Sequence, residues 1–254
     1  MNILITGGNG YIGKSLYNAL KAKYNITVIT RNECDLNNSL AVNTYFQDKE
    51  FDVVIHCAVN GGSRLQQDDW SVLDTNLSMY YNLYSNKDKF KKLIHFGSGA
   101  EIHDNKSPYG FSKDVIRKSI LNNDGFYNLR IFGVFDENEL DTRFIKSNIK
   151  RYINKDPMII HQNKMMDFIY MPDLIEIVEY YINNDGPKEI NCNYDNIMSL
   201  QDIAGIINSL DEYRVNIEVK NKEKGKPYVG GFKNLGIRFT GLKLGIKETY
   251  NKLK

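Results

Sequence analysis

The sequence predicts an α/β fold built on a doubly wound parallel sheet, and three observations predict it. Short apolar runs alternate with helical patterns through the first half of the chain, the signature of βαβ units. Each run is too short for a core helix and is bounded by Gly, Asn, Asp or a charge. The first run empties into a glycine-rich turn that opens a helix. The 254 residues suffice for one large domain, or for a large domain with a small companion.

In chain order, the predicted strands of the first half are 2–6, 25–30, 52–57, 92–96 and 127–131. Helical stretches near 12–23, 39–49, 70–86 and 109–123 separate them, and 72–84 carries Tyr, Leu and Met at helical spacing. From about residue 135 the rhythm loosens. A helix over 140–154 precedes strands at 158–161 and 167–171, then a helix at 172–184 and a strand at 189–191. A helix near 199–210, a strand around 214–219 and a helical tail at 244–253 complete the chain. Turn signals over 220–236, among them Lys-Gly-Lys-Pro and Gly-Gly, predict a mobile surface loop. The expected division is 1–134 and 135–254, the second region completing the sheet.

Composition narrows the function classes. Hydrophobic residues make up 42% and charged residues 25%, ordinary for a soluble globular chain. A net charge of +2 does not point to nucleic acid or an acidic membrane surface. Cys34, Cys57 and Cys192 are odd in number and lack metal-ligand spacing, so neither a disulfide framework nor a metal site is expected, and a reducing compartment fits best. No run of 18 apolar residues occurs, and Met1-Asn2 leads directly into Ile3-Leu4-Ile5 without a basic region. The expected location is the cytoplasm.

The turn after the first strand reads Thr6-Gly7-Gly8-Asn9-Gly10-Tyr11-Ile12-Gly13. Such a turn needs a residue tolerating positive φ and a backbone that can approach a pyrophosphate closely, needs that Gly7 and Gly10 would serve. Gly13 lets the following helix pack on the strand, and that helix offers free N–H groups and a positive dipole end to phosphates. An ordinary Gly-rich turn has the same composition. Its place at the first strand-to-helix junction of a βαβ unit favours a Rossmann dinucleotide site, with Tyr11 and Ile12 in the same cradle. The second strand ends Val28-Ile29-Thr30-Arg31, without the acid that takes the ribose 2′-hydroxyl of NAD. Arg31 suits a 2′-phosphate, so NADP(H) is favoured and NAD(H) is the alternative; a solvated loop arginine is the bland reading.

Tyr109-Gly110-Phe111-Ser112-Lys113 places Tyr and Lys at i, i+4 on one helix face. There an ammonium can lower the pKa of a phenol that is otherwise a poor acid-base catalyst near neutrality. Tyr17/Lys21 and Tyr250/Lys254 have the same spacing and read as surface helix. Tyr109 differs: it follows Pro108 at a helix start and comes after Phe96-Gly97-Ser98-Gly99-Ala100-Glu101, which closes a predicted strand. The carboxyl ends of strands are where doubly wound sheets bind ligands.

Together these motifs resemble the extended branch of the short-chain dehydrogenase/reductase superfamily, in its NAD-dependent epimerase/dehydratase family, over nearly the whole chain. The Gly-x-x-Gly-x-x-Gly spacing, Tyr109, Lys113 and the Ser-bearing segment carry the likeness, with Asn128-Leu129-Arg130-Ile131-Phe132-Gly133 and Asp167-Phe168-Ile169-Tyr170-Met171-Pro172-Asp173 beside them. The resemblance implies that Ser98, Tyr109 and Lys113 are catalytic, with Gly99 in the serine's place in an alternative register. It implies cofactor contacts at Asp35 and Leu36, at Cys57, Ala58 and Val59, and at Asn76, which matches the Asn that completes a proton relay. It also implies that 135–254 forms a small substrate-binding region, that Gly99, Ala100 and His103 lie on the substrate side, and that two copies pair through the 70–86 and 109–123 helices. Two departures blur the substrate pocket: Gly133 replaces a frequent Asn, and the C-terminal region is short. The eleven positions from Ser98 to Tyr109 also imply a trimmed substrate-side loop.

Family members act on sugars linked to a nucleoside diphosphate. Dehydration needs an Asp-Glu pair just after the serine position, where Gly99-Ala100 stands; dual epimerase-reductases place a Cys where Ala100 stands. What remains is hydride chemistry: NADPH-dependent reduction of a 4-keto-6-deoxy sugar, or NAD-dependent 4-epimerisation. A non-catalytic Rossmann binding module is the rival class, and the presence of Ser98, Tyr109 and Lys113 argues against it. His56 and His95 read as packed core. Trp70 and the stripe through Tyr81 and Leu83 read as core or a dimer helix. Arg64, Arg143, Lys146 and Lys226 are better read as solvated charge than as diphosphate ligands, and Tyr228, Gly230 and Gly231 as a flap.

Overall fold

Ile3, Leu4 and Ile5 are all fully buried, which requires cover on both faces of the first strand. Each such side chain contributes about 1.5–3 kcal/mol on leaving water. The second strand instead alternates exposed and covered positions, as an edge strand does. The computed structural model, which describes residues 1–63 and 66–254, places the two accordingly.

In order, the chain forms β1 (Asn2–Thr6), α1 (Tyr11–Leu20), β2 (Asn25–Ile29), α2 (Ser39–Phe46), β3 (Phe51–His56), α3 (Ser71–Tyr84), a 3-10 turn (Lys87–Lys89), β4 (Phe90–Ser98) and α4 (Ala100–His103). There follow α5 (Pro108–Leu121), β5 (Phe126–Ile131), β6 (Val134–Phe135), α6 (Phe144–Ile153), β7 (Met158–Gln162), β8 (Ile169–Tyr170), α7 (Met171–Asn183), β9 (Glu189–Cys192), α8 (Leu200–Ile207), β10 (Ile217–Asn221) and α9 (Leu242–Leu253). Six strands form a parallel sheet in the order β2-β1-β3-β4-β5-β9. The order reverses at β1 and β3, the switch point beyond which such sheets bind ligands. The predicted α/β Rossmann architecture is the observed one.

Two compact units divide the chain. The first comprises Met1–Arg130 and Val178–Ile190. Its sheet residues Leu4, Val54 and Leu93 pack with Val42 and Phe46 of α2, Met79, Tyr80 and Leu83 of α3, and Ile116 and Ile120 of α5. The second comprises Ile131–Ile177 and Asn191–Lys254. There β7 pairs with β10 and β6 with β8, around a core of Phe135, Ile149, Tyr152, Ile160, Ile203 and Ile246.

Three sequence expectations change. The fourth strand runs Phe90–Ser98 rather than 92–96, anchored at its start by stacking of the Phe90 and Phe126 rings, so Ser98 is its last residue. Trp70 is not core: it stands 61% exposed at the cap of α3. The 220–236 segment is tied down rather than free. Gly225 N–H donates to Asn163 O and Tyr228 N–H to Met165 O, while Gly230 N–H reaches the buried Asp167 carboxylate at 2.8 Å. No helix among the described residues is long and apolar enough to cross a membrane.

Candidate active site

Ser107 starts α5. Its hydroxyl accepts Gly110 N–H at 3.1 Å, and Pro108 supplies a first-turn residue that needs no N–H partner. Tyr109 therefore lies in the first turn and Lys113 one turn on, with Lys113 Nζ 5.8 Å from the Tyr109 ring centre. Lys113 is buried and donates to Phe96 O at 2.7 Å, with His95 Nε2 at 3.4 Å. Burial pulls its ammonium down to about 8, partly offset by the neighbouring Glu101. Lys113 is thus held to the strand that ends in Ser98.

Gly62 packs against the same tyrosine. At φ +72° an added Cβ would stand 2.7 Å from Tyr109 Cζ, so only glycine lets this backbone cover the ring. Asp68 fixes the turn by accepting Gly62 N–H at 2.9 Å. The Gly61-Gly62 pair was visible in the sequence, but nothing local linked it to Tyr109.

At the end of β4, Ser98 Oγ accepts Ala100 N–H at 3.2 Å, leaving its own hydrogen to donate. Gly99 and Ala100 are buried beside it, and His103 is exposed at the end of α4. Asn76 is buried, and its amide bonds Asn60 N–H (2.8 Å), Asn60 O (3.0 Å) and Ser112 Oγ (3.1 Å). It ties the loop after β3 to α5.

Under Lys113 runs a polar row across three strands. Thr6 Oγ1 accepts Ala58 N–H and bonds His56 Nδ1 at 2.8 Å, and His56 lies ring to ring with His95 at 5.4 Å. Burial keeps both imidazoles neutral, His56 down to about 3 and His95 well below its usual range, with Lys113 adding to the effect. Both histidines are core, as expected.

The glycine turn has the shape a dinucleotide phosphate needs. Gly7 takes φ +67° and leaves no room for a Cβ, which would sit 2.6 Å from Ala58 N; one on Gly13 would sit 2.6 Å from Gly7 O. Gly10 caps α1 without a side-chain bond, and the first turn holds no acid, so no carboxylate there competes for its N–H groups. Tyr11, Ile12, Cys57 and Ala58 are half-buried around the β1/β3 switch point, and Val59 is exposed. Desolvation raises the Cys57 thiol, which makes it inert.

At the end of β2, Arg31 is exposed, while the Glu33 carboxylate takes both Thr30 N–H and the Thr30 hydroxyl. Asp35 accepts Asn37 N–H at 3.0 Å, and Leu36 points into the core. In the second unit Lys146 pairs with Asp141 and donates to Glu139 O, Arg143 caps α6, and Lys226 is exposed. Arg64 lies outside the described residues. Asn193 and Asn191 donate to Gly230 O and Gly231 O, so the expected flap is bonded to the end of β9. Among the described residues no cluster of His, Cys, Asp or Glu is arranged to hold a metal ion.

Residues 3–193 match the model of the NAD dependent epimerase/dehydratase family. The chain belongs to that family. Among curated relatives of this epimerase/dehydratase-family member is CDP-abequose synthase of Yersinia pseudotuberculosis, 25% identical over 221 residues, 77% of this chain and 76% of that one. Among solved structures, UDP-glucose 4-epimerase of Thermotoga maritima with UDP-glucose superposes with a TM-score of 0.81 at 15% identity, covering 100% of this chain and 98% of that one. GDP-mannoheptose C4 reductase of Campylobacter jejuni with NADP bound gives 0.78 at 18% identity, covering 99% and 98%. These likenesses show a shared fold.

Proposed function

We propose that this family member is an NADPH-dependent reductase of a nucleotide-linked 4-keto-6-deoxy sugar, with Tyr109 as proton donor. One observation carries the reading: Lys113 shares a face of α5 with Tyr109 and is anchored two residues before Ser98, while the buried Ala100 offers no acid or base for any further step. The Ser98 hydroxyl and the Tyr109 phenol bond the C4 carbonyl oxygen. Bound reduced nicotinamide supplies the hydride. Tyr109 gives its proton to the oxygen as negative charge develops there, and the Lys113 ammonium stabilises the phenolate left behind. Gly7, Gly10, Tyr11, Ile12 and Gly13 take the pyrophosphate, Arg31 the 2′-phosphate, and Asp35, Ala58 and Val59 line the adenosine side. Exposed Trp70, Tyr81 (40%) and Phe111 (40%) on or beside α3 and α5 support pairing of two copies.

The test is NADPH oxidation by the purified protein on a panel of CDP-, GDP-, dTDP- and UDP-linked 4-keto-6-deoxyhexoses. Absence of turnover across the panel counts against the reductase. A second reading, an NAD-dependent 4-epimerase, is favoured by Glu33, whose carboxylate at the end of β2 suits ribose hydroxyls better than a phosphate. Tightly co-purifying NAD would select it.

A further inference from the structure

Ser98 is held by a side chain three residues further on. Glu101, 2% exposed on α4, accepts Ser98 N–H on Oε1 at 2.8 Å. Its Oε2 accepts Arg130 Nε at 2.9 Å, and Asn128 Nδ2 reaches both oxygens, at 3.3 and 3.1 Å. Arg130, 6% exposed, reaches Glu189 Oε2 at 2.8 Å with its other end. Glu189 then receives Arg117 through Nε at 2.5 Å and Nη2 at 3.0 Å. Arg117 stands on α5 one turn beyond Lys113. The chain of charges therefore starts at the backbone of Ser98 and ends on the helix that carries Tyr109 and Lys113.

Such a chain is a poor way to gain stability. Taking a carboxylate and a guanidinium out of water is costly, and apolar residues of the same volume often serve stability better. What the chain does supply is direction, because every link is a charge-assisted bond with a narrow geometry. Room for it is built in: a Cβ on Gly97 would stand 2.2 Å from Glu101 Oε1 and 2.6 Å from Asn128 Oδ1.

We propose that Glu101 is a positioning residue for the reaction: through the Ser98 backbone, and through Arg130, Glu189 and Arg117, it sets the Ser98 hydroxyl against the Tyr109–Lys113 face of α5. This rests on the catalytic reading of Ser98 and Tyr109. Glu101→Gln is the informative change, since an amide must present an N–H to Ser98 N–H or to Arg130, both of them donors.

The experiment is a double-mutant cycle of Ser98→Ala and Glu101→Gln with NADPH and the fastest keto sugar of the panel. Rates are taken per folded site, counted by the fluorescence of bound NADPH. Glu101→Gln is expected to lower kcat roughly 10-fold, with the KM for NADPH within about two-fold of the parent, and to cost less than about two-fold more in the Ser98→Ala background. Glu189→Gln, at a half-buried link, repeats the cycle with a smaller loss should Glu101→Gln not fold. Multiplying effects, or an unchanged kcat per folded site with only a lower Tm, would overturn the proposal while leaving Ser98 catalytic. Full activity of Ser98→Ala would remove the catalytic reading of Ser98, and the proposal with it.

Discussion

The Lys113 ammonium sits 5.8 Å from the centre of the Tyr109 ring and is held in place by the Phe96 carbonyl oxygen at 2.7 Å. The tyrosine therefore stands beside a cation whose direction the sheet decides. Tyr109→Phe keeps the ring and removes the proton. Its kcat should fall roughly 100- to 10,000-fold with NADPH binding retained. Parental turnover by this variant would remove Tyr109 as the proton donor, whereas full biological function without any turnover would return the chain to the binding-module class.

Burial pulls Lys113 from 10.5 down to about 8, so its ammonium is lost as pH rises through about 8. The kcat profile should show its basic limb there. Stability should move the opposite way. Above about 8 the unfolded chain still binds the proton that the fold has released, so this residue's contribution grows with pH up to 10.5. Denaturant midpoints of the parent and Lys113→Met across that window measure the sign.

His56 and His95 are neutral in the fold and ordinary in the unfolded chain. Below 6.5 the unfolded state takes up protons that the fold refuses, down to about 3 for His56. Stability is thus full above 6.5 and falls with acid, by about 1.4 kcal/mol per pH unit for each histidine. Urea titrations between about pH 5 and 7 should show a steep slope in the parent and a shallower one in His56→Asn.

Gly62→Ala puts a Cβ 2.7 Å from Tyr109 Cζ and holds alanine at φ +72°. The backbone term alone costs about 1–2 kcal/mol. Because the ring must move, kcat should drop further than the melting temperature implies. An active, merely less stable variant would show that the loop does not orient Tyr109.

Arg31→Ala tests the cofactor. For a reductase that uses the 2′-phosphate, the KM for NADPH should rise on the order of 10-fold or more while that for NADH stays put, as expected for a lost charge-assisted bond. Equal effects on both cofactors would move the assignment toward the epimerase and Glu33.

The periodic signals are local and survived unchanged in kind. The apolar run Ile3-Leu4-Ile5 demanded a central strand, Gly7 to Gly13 demanded a close turn, and Ser107-Pro108 opened the helix that puts Tyr109 and Lys113 on one face. Those constraints act within a few residues, through sterics and the helix period, so the linear chain carries them. By itself the sequence determined the α/β class, the switch-point turn and the pairing of Tyr109 with Lys113. Tertiary structure alone decided the rest. Arg130 and Glu189 are 59 positions apart, Asp167 and Gly230 are 63 apart, and Gly62 and Tyr109 are 47 apart. No spacing rule links such partners. Asn76, which matched a relay position in the sequence, was turned to Asn60 and Ser112 by the neighbours that surround it. Glu101 stood in plain view beside Ser98, yet only burial of its carboxylate against Arg130 shows what it holds. A buried charge needs a partner, and which partner is available depends on how the whole sheet is assembled.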